Sequence, residues 1–442
     1  MLNIKITKFE NVKQCNSTKK RILASQFLSM QFLYNFLIYT SSIIIWLSQF
    51  FSKKMKLFLD GRKDVFKTLA PSIKADDKTI WFHCASLGEF EQGVPLMEIL
   101  KEKHPTYKLV ITFFSPSGYE IKKDTPLADV VAYLPLDTPK NSKKFIQLVH
   151  PSLAIFIKYE FWPNYLFQLE KNNIKTLLVS GLFRKNQLFF KSYGGFMRKA
   201  LKSFNHFFVQ DESSVELLQQ INFNNITLSG DTRFDRVFNQ LKQDNNLDFV
   251  SQFKQECLCI VCGSTWPEDE NVLIDYINSA PLTVKFIIAP HKIEVTKIDT
   301  FRKTIKKKVI LFSEKENNNL SEYSVLIIDT IGLLTKIYSY ADIAYVGGAM
   351  GSTGLHNILE PITFGVPIVI GKNFKKFPEA NTLLELKGLF SVNDAAECSQ
   401  VLNKLETDEG FRKNTGEIAK NYAKSNIGAT QKVVDYISTL QF

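Results

Sequence analysis

With 442 residues, 45% of them apolar, the chain is too long for one ordinary core and too apolar to remain a disordered polymer. Its formal charge of +11 argues for an anionic partner, but only 8 of its 55 basic residues are arginine, and nucleic-acid surfaces lean on arginine's bidentate fork. Six cysteines in a chain of this size exclude a disulfide framework, and Cys257, Cys259 and Cys262 lie in an apolar run without a second ligand pair, so they read as reduced, mostly buried thiols with no zinc.

In chain order, residues 1–29 read as a candidate start-site extension ahead of Met30. Residues 30–56 form a membrane anchor helix: no charge falls between Ile22 and Ser52, and Phe32 to Phe51 is mostly apolar, about the length that crosses a bilayer core. Lys19, Lys20 and Arg21 precede it and Lys53, Lys54 and Lys56 follow, so charge leaves its orientation open. Asn35, Thr40, Ser41, Ser42 and Gln49 inside the run also leave open a helix lying in the interface. No small-residue cleavage site precedes the second basic cluster, which excludes a removable signal peptide.

Residues 57–238 then alternate strand and helix, from a strand at Thr79–Cys84 to one at Ile226–Leu228. A polar stretch, Asn239 to Asp248, separates a second such series at 249–442, from Leu258–Cys262 to Leu389–Val392. The expected fold class is α/β, with two Rossmann-like domains facing a cleft and ligands at the carboxyl ends of their strands. The final helix is expected to pack on the N-terminal domain.

Three strand ends of the first domain carry chemistry. In WFHCASLGEFEQG, Ser86, Gly88 and Glu89 occupy a strand-to-helix turn; the carboxylate is placed to take a proton from an incoming hydroxyl, or is simply a first-turn acid favoured by the helix dipole. Glu160 follows a buried strand in IKYEFWPN, with Pro163 opening the next helix. Arg233 follows the domain's last strand in SGDTRFD. Further on, a helix carrying Lys191, Arg198, Lys199 and Lys202 beside Phe190, Phe196 and Leu201 is either a membrane-facing surface or an ordinary solvated face.

The second domain centres on YVGGAMGSTGLHNILEP, Tyr345 to Pro361. A strand, four glycines and a helix opening near His356 would bring backbone N–H groups and a positive dipole end to a phosphate. Glu360, about one turn into that helix, would accept hydrogen bonds from ribose hydroxyls.

Five blocks together resemble the 3-deoxy-D-manno-octulosonic acid (Kdo) transferase family of lipopolysaccharide synthesis: SLGE at Ser86–Glu89, YEFWPN at Tyr159–Asn164, GDTRFD at Gly230–Asp235, DTIGLL at Asp329–Leu334, and VGG…GLHNILEP at Val346–Pro361. The Gly61–Arg62 pair fits as well. The resemblance implies a GT-B glycosyltransferase architecture, no metal and no cofactor. It implies an inner-membrane anchor with cytoplasmic catalytic domains, and inverting transfer of Kdo from CMP-Kdo to a lipid A precursor. By that match Glu89 would be the general base, and Glu160 and Arg233 would stabilise the transition state. CMP would be held by His291, Lys292, Gly332, Leu333, Leu334, Asn357, Ile358, Leu359 and Glu360. The chain departs from the family pattern at His291–Lys292, where Arg-His is usual, at Gly332–Leu334, where Gly-Glu-Leu is usual, and at Leu355, where a second glycine is commoner. The alternatives are a UDP-sugar-dependent GT-B transferase of the envelope, a soluble nucleotide-sugar epimerase and a non-catalytic membrane scaffold. None of these accounts for SLGE, YEFWPN and the apolar leader together.

Overall fold

A computed structural model describes residues 28–442; the candidate start-site extension and the Lys19–Arg21 cluster lie outside them, except for Leu28 and Ser29. The chain divides into two compact units, residues 28–232 with Gly428–Phe442, and Arg233–Ile427.

The first unit holds seven parallel strands: β1 (Lys78–Cys84), β2 (Tyr107–Phe113), β3 (Val130–Tyr133), β4 (Pro151–Ile157), β5 (Lys175–Gly181), β6 (His206–Val209) and β7 (Ile226–Leu228). They are ordered β3-β2-β1-β4-β5-β6-β7. Successive residues feed opposite faces, as a pleated strand requires. Ile80 and Phe82 of β1 join Leu153 and Ile155 of β4 on one side, while Trp81 joins Ala154 and Phe156 on the other. Both faces are therefore buried, which is why these strands read as continuous apolar runs. The helix Ala429–Ser438 adds Val433, Val434 and Ile437 to the cluster holding Phe82.

The second unit repeats the plan with β8 (Leu258–Thr265), β9 (Val284–Pro290), β10 (Val309–Leu311), β11 (Val325–Ile327), β12 (Ile343–Val346), β13 (Ile368–Gly371) and β14 (Leu389–Val392). Their order is β10-β11-β9-β8-β12-β13-β14, again with parallel pairing. Cys259 and Cys262 sit fully buried on opposite faces of β8. Burial pushes the Cys259 thiol up to about 12, so it is a packing group.

Each expected strand is present. Most bounds differ by one or two residues and the largest extension is at β8, which runs three residues past Cys262. Two helices differ more. The helix expected near His356 opens only at Leu359 and ends at Thr363. The lysine-bearing helix is limited to Gly195–Leu201, with Lys191 ahead of it. Its Arg198 guanidinium is occupied by the carbonyls of Phe189 and Lys191, at 2.8 Å each.

The Gly61–Arg62 pair is a packing device. Arg62 donates to the carbonyls of Leu134 (3.0 Å), Phe58 (2.9 Å) and Phe114 (2.6 Å) and lies over the Phe58 ring. A Cβ at Gly61 would collide with the ring of Tyr133.

Candidate functional sites at the two switch points

In a doubly wound sheet the crevice opens where neighbouring strands send their connections to opposite faces. In the first unit that point lies between β1 and β4, the strands that lead into SLGE and YEFWPN. Ser86 caps the helix Leu87–Lys103, and Glu89 folds back onto it in a capping box. The Ser86 amide donates to Glu89 Oε2 at 3.0 Å, and the Ser86 hydroxyl makes a very short bond to the same oxygen. Glu89 is 7% exposed. A Cβ at Gly88 would meet only Ser86 Oγ, at 3.8 Å, so packing does not require the glycine and the space above the turn is open.

β4 ends at Ile157, and the next residue, Lys158, is a non-glycine held at φ 74; that left-handed turn sends the chain toward Glu160. Glu160 is 9% exposed. The Trp162 indole donates to Glu160 Oε2 at 2.9 Å and to His83 Nε2 at 3.1 Å. His83 Nε2 also lies 3.4 Å from Glu160 Oε2, and its Nδ1 meets Thr112 Oγ1 at 2.9 Å, which accepts from Trp81 at 2.8 Å. A buried polar chain thus runs through the core to one carboxylate. The two acids share their surroundings: burial raises the Cys84 thiol, and Glu89 and Glu160 raise it further. The Tyr159 phenol is raised by burial and by Glu89, with Arg184 opposing.

Sequence reasoning missed His83, Trp162 and Arg184. It also missed why SLGEFEQG and GDTRFD belong together. Gln92 donates to Asp231 at 3.0 Å, and Thr232 donates to the Gln92 carbonyl at 2.7 Å and shares a 2.8 Å bond with Ser180. The Gln92 Oε1 atom is buried without a partner. Arg233, expected at the ligand edge of the first domain, belongs to the second unit, where Glu379 pairs with it at 3.2 Å.

The switch point of the second unit lies between β8 and β12. β8 bulges at Ser264 (φ 55) and delivers Trp266, which opens the helix Pro267–Ser279. Its Asp269 is fully buried and accepts from the amides of Trp266 (2.9 Å) and Gly348 (2.8 Å) and from the Tyr345 hydroxyl (2.9 Å). The Gly348 amide is thereby spent on the protein. Gly348 holds φ 94, and a Cβ there would strike the Gly354 carbonyl. Gly348 therefore lets the loop fold on itself, and the helix expected to open near His356 opens at Leu359 instead.

Three rings pack beside this loop. Trp266 and His356 lie side by side and nearly coplanar (centroids 6.5 Å apart, 9°), and His291, just past β9, stacks against both at 4.7 and 4.3 Å with interplanar angles of 25° and 28°. The Trp266 indole donates to His356 Nε2 at 2.9 Å, and the Lys292 ammonium lies 5.1 Å over the Trp266 ring. Burial, with His291 beside it, pulls His356 down to about 4; burial and then Lys292 lower His291. Both imidazoles are neutral near pH 7, and Lys292 carries the charge. Trp266 was invisible in the sequence because it follows a strand end as any capping aromatic would.

Of the other expected nucleotide contacts, Gly332 is exposed at φ 93 with nothing near a notional Cβ. Leu333 and Leu334 pack partly against the core. Ile358 and Leu359 are buried, so they offer backbone only. Asn357 is exposed and donates to Glu360 Oε1 at 3.1 Å, while Thr335 donates to Oε2 at 2.9 Å. Glu360 is in the first turn of its helix, not one turn in.

Residues 61–236 match the family described as 3-deoxy-D-manno-octulosonic-acid transferase (kdotransferase). A 3-deoxy-D-manno-octulosonic acid transferase of Haemophilus influenzae is 27% identical over 81% of this chain and 86% of its own length. The chain is thus similar to Kdo transferases across residues 61–236 by the family match and along most of its length by this relative. Among solved structures, the fold is similar to UDP-GlcNAc 2-epimerase from Neisseria meningitidis (TM-score 0.60, 13% identity, 82% of this chain and 100% of the other). It is also similar to the calicheamicin glycosyltransferase CalG4 (TM-score 0.53, 10% identity, 83% and 100%). An epimerase and a glycosyltransferase share the architecture, so the fold alone does not separate these chemistries. The sequence likeness to Kdo transferases favours the glycosyltransferase, on a GT-B-like fold.

Proposed function

We propose that this chain transfers Kdo from CMP-Kdo to the lipid A precursor lipid IVA, with inversion at the anomeric carbon, at the cytoplasmic face of the inner membrane. The observation that carries the reading is the pair of carboxylates, Glu89 and Glu160, gathered around Tyr159 at the first unit's switch point.

The acceptor hydroxyl is the weak partner in this reaction, and a carboxylate that takes its proton is what it most needs. Glu89 is that base: capping fixes its side chain through Oε2, and open space lies above Gly88. As the hydroxyl oxygen bonds to the anomeric carbon, the bond to phosphate breaks and CMP departs with its electron pair. Glu160, held by Trp162, and Arg184 would shape the field around the developing charge. CMP leaves as a stable anion, so positive charge and N–H donors at its phosphate suffice. Lys292 supplies the charge, while neutral His291 and His356 supply donors and a flat stack. Gly332, Leu333, Leu334, Asn357, Ile358, Leu359 and Glu360 complete the proposed CMP contacts. Arg233 contributes to the transition state only if it keeps charge to spare beside Glu379.

The epimerase reading is favoured by fold likeness alone. Incubating the full chain in detergent with CMP-Kdo and tetraacylated lipid A precursor separates the two. CMP release that requires the acceptor is the expected outcome. Turnover of a UDP-sugar without release of CMP would overturn the proposal.

A further inference from the structure

The helix Leu28–Ser48 has 21 residues, and none of its most apolar window is buried. At about 1.5 Å per residue it is long enough to cross a bilayer. Its attachments run against crossing. Near its start, Ser29 and Met30 line a groove of about 1080 Å³ together with Arg198, Lys199 and Asn225 of the first unit. One turn later the Tyr34 hydroxyl donates to the buried Asp137 at 2.7 Å, and Asn164 donates to Asn35 at 2.9 Å. Asp137 also accepts the amides of Asn164 and Tyr165 at 3.1 and 3.0 Å, so the latch engages the helix that follows Glu160. Past the other end, the helix Lys53–Lys63 returns to the same unit, with Phe58 buried and Arg62 bound to the carbonyls of Leu134 and Phe114.

A helix tied to one folded body before Asn35 and again after Lys53 has both ends on the same side of a membrane. The thirteen residues from Phe36 to Ser48 span only about 20 Å, short of the roughly 30 Å hydrocarbon core. The exposure pattern agrees. Gln31, Tyr34, Asn35, Ile38, Ser42 and Ile45 are half-buried at helical spacing. Phe32, Phe36, Ile43, Ile44, Trp46 and Phe50 are each more than half exposed on the remaining surface. Lys53, Lys54 and Lys56 follow directly.

We infer that Leu28–Ser48 is a monotopic helix, latched to the acceptor unit through Tyr34–Asp137 and Asn35–Asn164, which lies along one leaflet with its aromatic and aliphatic face in the lipid and its lysines on anionic headgroups. Such a helix binds by buried apolar area plus attraction to anionic lipid. It rests on the membrane location proposed above, and it holds the site of Glu160 at a fixed height over the headgroups.

The test uses the full chain with Ser29→Cys or Lys53→Cys, both at exposed positions, added to sealed vesicles of phosphatidylethanolamine and phosphatidylglycerol. Flotation with the vesicles checks the membrane location by itself, and a chain that fails to float overturns both readings. For the floated protein, an impermeant maleimide is expected to label both introduced thiols to the same extent before and after the vesicles are lysed, above the signal of the unsubstituted chain. If either thiol labels only after lysis, the helix crosses and the inference is wrong, whatever the enzyme transfers.

Discussion

The two units are wound alike and use the same architectural opportunity, yet they fill it with different chemistry. In the first, strand ends deliver acids whose oxygens are held by a serine cap and an indole. In the second, they deliver an indole, two imidazoles kept neutral by burial, and one lysine. A general base belongs with the first set, and an anionic leaving group with the second. On the proposed reaction the two sets serve opposite sides of one anomeric carbon, the base acting on the acceptor hydroxyl and the lysine on the departing phosphate.

Glu89→Gln breaks the comparison most severely. Transfer should fall by roughly a hundred- to ten-thousand-fold, while the glutamine still closes the capping box, so the midpoint of thermal unfolding should barely move. Ser86→Ala is the complementary change: it removes the cap, destabilising the unit by about 1 kcal/mol in a denaturant titration.

Lys292→Ala sharpens the other side. Loss of a charged contact to phosphate, worth about 1.5–3 kcal/mol, should weaken CMP binding by roughly ten- to a hundredfold in a calorimetric titration. The same substitution should leave acceptor affinity unchanged. An equal loss for both ligands would dissolve the division of labour.

The pH response should also differ between units. His356 titrates near 4 in the folded chain against 6.5 for a free imidazole. Between those values the unfolded chain takes up a proton that the folded chain refuses, so this histidine's contribution to stability falls as pH drops from about 6.5 to 4. Replacing His356 with Gln should flatten that slope in a pH series of unfolding curves. An unchanged slope would mean that the proton goes elsewhere.

The smallest effect is expected at Gly88→Ala. Nothing in the protein obstructs the added methyl group, so unfolding should be unaffected and any loss of transfer reports contact with substrate.

The strands were legible because parallel sheets bury both faces, leaving unbroken apolar runs such as those around Phe82 and Ile287. Glu89 and Glu160 could be singled out because SLGE and YEFWPN resemble family blocks; position alone left each equally readable as a first-turn acid or an ion-pair partner. The turn after β12 was legible as a glycine loop, but the engagement of its Gly348 amide by the buried Asp269 was not, because Asp269 lies far away in sequence. Trp266, His83 and Trp162 stayed hidden for a related reason. Their contacts come from residues distant in sequence, and an aromatic residue in a strand or just before a helix usually signifies packing alone. The leader's apolar length was plain, but whether it crosses depends on Tyr34 meeting Asp137, about a hundred positions later.

The most direct measurement follows acceptor-dependent CMP release by the native chain and by Glu89→Gln, with CMP affinity determined on the same samples. The account predicts release slowed at least about a hundredfold with CMP affinity unchanged. Release at a near-native rate, or a loss of CMP affinity that matches the loss of rate, would contradict it.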